Sequence, residues 1–103
     1  MEEGYVYILR NHSLKGLLKI GSTTFGVEKR ARQLSNTTAI PTPFIVSYEI
    51  YVRHYEEFEK TIHNKLAFYR VSPKREFFEV SIEKVIEIMK KRSHIKEQNM
   101  EAD

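Results

Sequence analysis

Tyr5, Tyr7, Lys19 and Gly21 are the residues whose types and spacing most readily do chemistry in this chain. Gly4-Tyr5-Val6-Tyr7-Ile8-Leu9 and Leu18-Lys19-Ile20-Gly21-Ser22 each read as a short strand. The link between them, with Asn11, His12, Ser13 and Gly16, reads as the turn of a hairpin. Side chains alternate along a strand, so Tyr5, Tyr7 and Leu9 share one face of the first run, and Lys19 and Gly21 share a face of the second. The hairpin thereby offers a phenol, an ammonium group and a backbone position without Cβ, a combination that suits a phosphate. Gly21 lets an anion or a second backbone come close, and the hydroxyls of Ser22 and Thr23 can donate hydrogen bonds beside it.

A phenol ionises near pH 10 and is a poor base in water. A neighbouring cation favours the phenolate, and Lys19 on the adjacent strand is placed to supply one. The residues taken alone also allow a plainer reading. Both tyrosines could be ordinary sheet aromatics, and the Lys19 stem could run along the sheet edge to water.

Glu59 and His63 stand four apart and so share a helix face. That face borders the apolar stripe of Phe58, Ile62 and Leu66. A carboxylate at the margin of a core can hold a divalent ion, since Mg²⁺ takes one or two carboxylates and completes its shell with water and phosphate. The plainer reading is an intrahelical pair contributing about 0.2–0.5 kcal/mol. It is not a zinc pattern: no second His falls at matching spacing and the chain has no Cys.

The elements that must position these groups follow from periodicity. Val27, Ala31 and Leu34 recur at helical spacing and predict a helix over 27–34, with Glu28 near its positive end. Ser35-Asn36-Thr37-Thr38 ends it, and Pro41 and Pro43 keep the next stretch extended. Phe44, Val46, Tyr48, Ile50 and Val52 alternate with Ile45, Ser47, Glu49 and Tyr51, which predicts a third strand. Phe58, Ile62, Leu66 and Tyr69 predict a helix over about 54–69. Residues 76–80 read as a short extra strand, in which Phe77 and Phe78 face opposite ways. Ser81 is a candidate N-cap for a last helix with Ile82, Val85, Ile86 and Met89 on its buried side. The periodicity lapses beyond Arg92. The expected organisation is therefore one domain over 4–92 with a flexible tail over 93–103. Its class is α+β: a small three-stranded antiparallel sheet flanked by helices, in the order β-β-α-β-α, then the extra strand and a C-terminal helix.

Taken together, these residues resemble the GIY-YIG nuclease superfamily. Tyr5-Val6-Tyr7 stands where the first signature triplet falls and Lys19-Ile20-Gly21 where the second falls. The likeness is to a branch of phage and bacterial proteins in which that second triplet commonly begins with Lys. It continues through Glu28-Lys29-Arg30, Pro41-Thr42-Pro43-Phe44, Glu59 with His63, and Arg75-Glu76-Phe77-Phe78, and covers residues 4 to 90. The resemblance implies that Tyr7 activates the attacking water, with Tyr5 as the fallback. It implies that Arg30 contacts the scissile phosphate and that Glu59 is the single metal ligand, for Mg²⁺ or Mn²⁺. A guanidinium suits the phosphate because its planar fork binds two oxygens and keeps its charge. Arg32 projects roughly 200° away around the helix. His63 would orient the carboxylate or meet phosphate, and Glu76 is read as a salt-bridge partner rather than a second ligand. Lys in place of the second Tyr either takes over phosphate work or marks altered chemistry.

Composition is consistent with this. Of 103 residues, 41% are hydrophobic and 30% charged, which fits a folded globular domain. The formal charge of +3 favours polyanions mildly, although much of the excess sits in Lys90-Lys91-Arg92. No apolar run approaches the roughly 18 residues of a membrane span. Met1-Glu2-Glu3 does not open a secretory signal, and the absence of Cys excludes disulfides. The expected setting is cytoplasmic and the expected partner is nucleic acid, DNA before RNA. The core fold uses nearly the whole chain, so low intrinsic sequence specificity is expected, or targeting by a dimer or a protein partner. The function expected is a metal-dependent endonuclease that hydrolyses DNA phosphodiesters. The alternatives are a non-catalytic nucleic-acid-binding module of the same fold, or a protein-interaction domain that keeps only the fold.

Overall fold

The computed structural model describes residues 2–36 and 39–102, with side chains placed to residue 93. The first two strands, β1 (Glu3–Asn11) and β2 (Leu18–Thr23), form the expected hairpin. Gly16 takes φ +81° in the connecting turn, a conformation that disfavours any residue with a Cβ. The Asn11 side chain donates to the Thr42 carbonyl at 2.8 Å and accepts from the Ser13 N–H at 2.9 Å, which ties the turn to the proline segment.

β3 (Phe44–Arg53) pairs with the other edge of β1, and β4 (Phe77–Phe78) pairs with β2. The sheet is antiparallel with the order β3-β1-β2-β4. The expected short extra strand thus joins the three as the fourth strand of one sheet. The short Phe-rich segment is a strand of the same sheet because Leu18 and Lys19 offer it an open edge.

The sheet is covered on both faces, which is why the central strand β1 reads as a nearly unbroken apolar run. On one face Val6, Ile8, Ile20 and Phe78 pack with Phe58 and Ile62 of α2 (Tyr55–Lys65), with Leu66 just after it, and with Val85 and Met89 of α3 (Ile82–Ala102). On the other face Tyr7 and Leu9 pack with Val27 and Ala31 of α1 (Val27–Ser35), joined by Phe44 and Phe77. Phe77 and Phe78 divide between the two cores as their alternation predicts.

β3 departs from its simple alternation. The register against β1 shifts between Ile8 and Leu9: Ile8 lies opposite Tyr48, but Leu9 lies opposite Val46. The extra residue is a bulge, which sends Phe44 and Val46 to the α1 face and Tyr48, Ile50 and Val52 to the other. One strand therefore serves both cores, which a strict period of two does not reveal.

The helices begin and end for local reasons. α2 starts directly after β3, with His54 in the left-handed region at φ 51°, and Glu56 and Glu57 occupy its first turn. The helix expected over 54–69 is α up to Lys65 and then tightens into a 3-10 turn at Ala67–Tyr69. Ser81 accepts from the Lys84 N–H at 3.3 Å and so caps α3 as expected. The backbone of α3 runs helical to Ala102, past the tail boundary expected at residue 93. That stretch has no Gly or Pro to interrupt a helix. The side chains expected in the tail beyond residue 93, and the helix-ending Thr37 and Thr38, lie outside the described residues. Among the described residues no helix is long and apolar enough to cross a membrane.

Candidate active site

The hairpin register places Tyr7 opposite Gly21 and Leu9 opposite Lys19. β4 accompanies β2 only along Leu18 and Lys19, after which the Ile20 N–H donates to the Glu76 carbonyl at 3.1 Å. The stretch Gly21–Thr23 therefore lies just past the end of β4. Groups from the two faces of the sheet meet in this gap.

From the α1 face come Tyr7 and Arg30. The Tyr7 ring is 1% exposed, and its hydroxyl reaches across Gly21. A Cβ on Gly21 would stand 2.6 Å from that oxygen and 3.1 Å from a Glu76 carboxylate oxygen. Gly21 is thus a close approach of a side chain to backbone, and phenol and carboxylate are neighbours. The Arg30 guanidinium is close enough to act on the charge of the phenol. Burial pushes the Tyr7 phenol above its ordinary value, Arg30 opposes that rise, and the charges of Glu76 and Glu59 add to it.

From the α2 face comes Glu59. Its carboxylate accepts a hydrogen bond from the Ser22 hydroxyl, and the Glu76 carboxylate is close enough to act on its charge. Burial pushes the Glu59 carboxyl up to about 7, the Ser22 bond resists the rise, and the Glu76 carboxylate adds to it. Glu76 in turn pairs with Lys19, Nζ to Oε2 at 3.7 Å, and the Lys19 ammonium stands 5.1 Å from the Phe77 ring centre. The lysine is held at the site and does not run out to water.

His63 Nε2 lies 2.8 Å from the Ile20 carbonyl oxygen and 3.5 Å from Glu59 Oε2. A carbonyl only accepts, so Nε2 carries the proton and donates to it. The short distance to Glu59 suggests an ion pair, yet burial lowers the His63 value while raising that of Glu59. Both shifts favour neutral groups, so the contact is not a full ion pair. His63 fixes α2 against β2 and holds Glu59 in place.

The donors on offer to a cation are oxygens: the carboxylates of Glu59 and Glu76 and the hydroxyl of Ser22. Such hard ligands suit Mg²⁺ or Mn²⁺ and not zinc. Among the described residues no group of three or more His, Cys, Asp or Glu side chains is arranged to hold a metal. An ion here would complete its shell with water and phosphate, as Mg²⁺ commonly does.

The model of the T5orf172 domain matches residues 4–93, which span every element that builds this gap. The chain belongs to the T5orf172 domain family. T5orf172 domains are found in phage and bacterial nuclease-like proteins and are associated with nuclease and DNA-binding functions. The chain is also 32% identical over 74 residues to the uncharacterized protein YeeC of Bacillus subtilis (strain 168). That match covers 62% of this chain and 19% of the relative, so the chain spans about a fifth of the length of that curated protein. No solved structure matches.

Within this T5orf172 domain the fold brings together Tyr7, Lys19, Gly21, Ser22, Arg30, Glu59 and His63, all singled out from sequence. Two roles differ from the expectation. Arg30 is the cation whose charge opposes the rise of the Tyr7 phenol, while Lys19 pairs with Glu76. Tyr5 turns to Tyr51, with ring centres 4.9 Å apart, and so is no fallback for Tyr7. Glu76 was legible as a salt-bridge partner, and it is one. Its approach to Glu59 had no signal in the sequence, since it depends on β4 pairing with β2.

Proposed function

We propose that the chain is a divalent-metal-dependent endonuclease domain of GIY-YIG type that hydrolyses DNA phosphodiesters. The observation that carries the reading is the gap beside Gly21, where a phenol, an arginine and paired carboxylates from both faces of the sheet converge. A phosphodiester fits there with Arg30 on its non-bridging oxygens and the Tyr7 hydroxyl towards the attacking water. A bound Mg²⁺ or Mn²⁺ supplies charge neutralisation at the phosphate and the leaving oxygen. Glu59 would hold that ion, Ser22 and His63 keep the carboxylate aimed, and Lys19 offsets the charge of Glu76. Tyr7, as its phenolate, accepts a proton from the water as the new P–O bond forms; the P–O bond to the leaving oxygen breaks, and that oxygen takes a proton from solvent.

The deciding experiment is incubation of purified protein with supercoiled plasmid in Mg²⁺ and in Mn²⁺, beside Glu59→Ala. Nicking by the wild type and none by the variant is the expected result. Equal nicking by both would place the activity elsewhere. No nicking by either would favour the second reading, a nucleic-acid-binding module without catalysis. The elevated Tyr7 value is the observation on that side, because a phenol harder to ionise supplies less of the phenolate base at neutral pH.

Two further outcomes follow from the same geometry. If Tyr7 is the base, the cleavage rate rises with pH through the range 7 to 9, since the active form is the phenolate and its value lies above the ordinary one. Tyr7→Phe is expected to lower the rate about 10² to 10⁴-fold and to abolish that rise, read from a pH–rate profile. Arg30→Lys keeps a charge but loses the planar fork, so a fall in kcat of about tenfold or more is expected, with Arg30→Ala worse. A Lys variant as fast as the wild type would remove Arg30 from the phosphate.

A further inference from the structure

The segment leading from α2 into β4 has a distinctive surface. From Lys60 to Arg75 the sequence holds five basic residues, Lys60, Lys65, Arg70, Lys74 and Arg75, and no carboxylate. In its middle stands Phe68, 91% exposed, with Val71 at 55%. A phenyl ring left in water forgoes the burial that stabilises such side chains elsewhere.

The ring is presented by an ordered backbone. Tyr69 meets Phe68 edge-on, ring centres 5.4 Å apart at 88°. The Val71 N–H donates to the Phe77 carbonyl at 3.0 Å, and the Glu79 N–H donates to the Tyr69 carbonyl at 2.8 Å. The Arg70 guanidinium lies 5.5 Å from the Phe78 ring centre, and its Nε donates to the Arg75 carbonyl at 2.8 Å. Little conformational freedom is left for a ligand to remove. The segment also runs without a break into Glu76, and so into the candidate site.

We propose that this segment is the track for a single-stranded stretch of nucleic acid, with Phe68 stacking on a base and Lys65, Lys74 and Arg75 meeting phosphates. The inference rests on reading the neighbouring gap as a nucleic-acid site. A lone protruding ring finds a free face only on a base that is not already stacked in a duplex, and stacking on aromatics tolerates any sequence. Positive charge without intervening carboxylates fits the phosphate backbone. A second copy of the chain is the poorer occupant, because a two-fold contact here would set two basic segments against each other.

The test is fluorescence anisotropy with a labelled single-stranded DNA oligonucleotide and its duplex, in EDTA at low salt. It compares the wild type, Phe68→Ala, Phe68→Trp and the double variant Lys74→Gln/Arg75→Gln. Phe68→Ala is expected to weaken single-strand binding about tenfold or more while leaving the melting temperature unchanged, and Phe68→Trp to retain binding. The double variant is expected to lower the slope of log K against log salt by about 1.4. Equal affinity of wild type and Phe68→Ala overturns the proposal. So does a wild-type dimer that Phe68→Ala dissociates with no change in DNA affinity. A wild type that binds no DNA at low salt overturns both this inference and the nuclease reading. Weakened binding by Phe68→Ala from a protein that cuts plasmid in no metal leaves the track standing and removes the nuclease. Cleavage with unchanged Phe68→Ala affinity does the reverse.

Discussion

Glu59→Gln is expected to abolish metal-dependent cleavage and, at the same time, to raise the melting temperature of the metal-free protein at pH 8. Glutamine keeps the length of the side chain and an oxygen to accept from Ser22, but it carries no charge. In the unfolded chain the Glu59 carboxyl ionises near its ordinary 4.5, whereas in the fold it holds its proton up to about 7. Between those values the folded state binds more protons than the unfolded one, so stability falls as pH rises through the window and stays lower above it. Removing the charge at pH 8 should therefore stabilise by about 1 kcal/mol. The full shift would suggest more, but water reaching the pair screens it.

His63 works in the opposite sense. Its value is lowered by burial, so its contribution is lost as the pH falls from about 6.5. The difference between variant and wild type isolates Glu59 from that second titration. Mg²⁺ should raise the melting temperature of the wild type more at pH 8 than at pH 5.5, because binding requires the ionised carboxylate, and should leave Glu59→Gln unmoved. A Gln variant that melts lower than the wild type at pH 8 would show that the carboxylate is satisfied as a charge by its surroundings. The two-carboxylate picture of the site would then fail.

Gly21→Ala is expected to cost about 1–3 kcal/mol of stability and to lower cleavage about a hundredfold. The added methyl would stand 2.6 Å from the Tyr7 oxygen and 2.8 Å from the ring carbon that bears it. Such an overlap would be relieved easily by a side chain with room to swing. Tyr7 has none, since it is packed among Leu9, Val27, Ala31 and Phe44. The phenol must shift away from Arg30 and the carboxylates, or the hairpin must open. Thermal melts of Gly21→Ala and of the double variant Tyr7→Phe/Gly21→Ala separate the two causes. Losing the hydroxyl should relieve part of the overlap, so the added methyl should cost less stability in the Phe background. If Gly21→Ala melts and cuts like the wild type, the phenol is not confined and this account of Gly21 is wrong.

Much of this protein was written in local pattern. The alternation of Tyr5, Tyr7 and Leu9 against Lys19 and Gly21 set the hairpin face, because side-chain direction in a strand depends only on its period. The stripe of Phe58, Ile62 and Leu66 placed Glu59 at the margin of a helix, because i and i+4 spacing is a property of the helix itself. The Ser81 cap and the opposite senses of Phe77 and Phe78 are legible for the same reason.

Other features depended on partners distant in sequence. The bulge that divides β3 between two cores arises from its register against β1, which neither strand specifies alone. The fourth strand exists because a two-residue segment found the edge of β2. That pairing is also what brings Glu76 to Glu59 and Lys19, and thereby adds to the rise that burial imposes on Glu59. Likewise, Arg30 acts on the charge of the Tyr7 phenol because α1 packs on that face of the sheet, while Glu76 takes the lysine. The sequence by itself determined which residues carry charge, hydroxyl or bare backbone, and which face of its own element each one occupies. Only the tertiary structure decided which of them touch, because burial, pKa and hydrogen-bond partner all depend on elements that meet across the sheet.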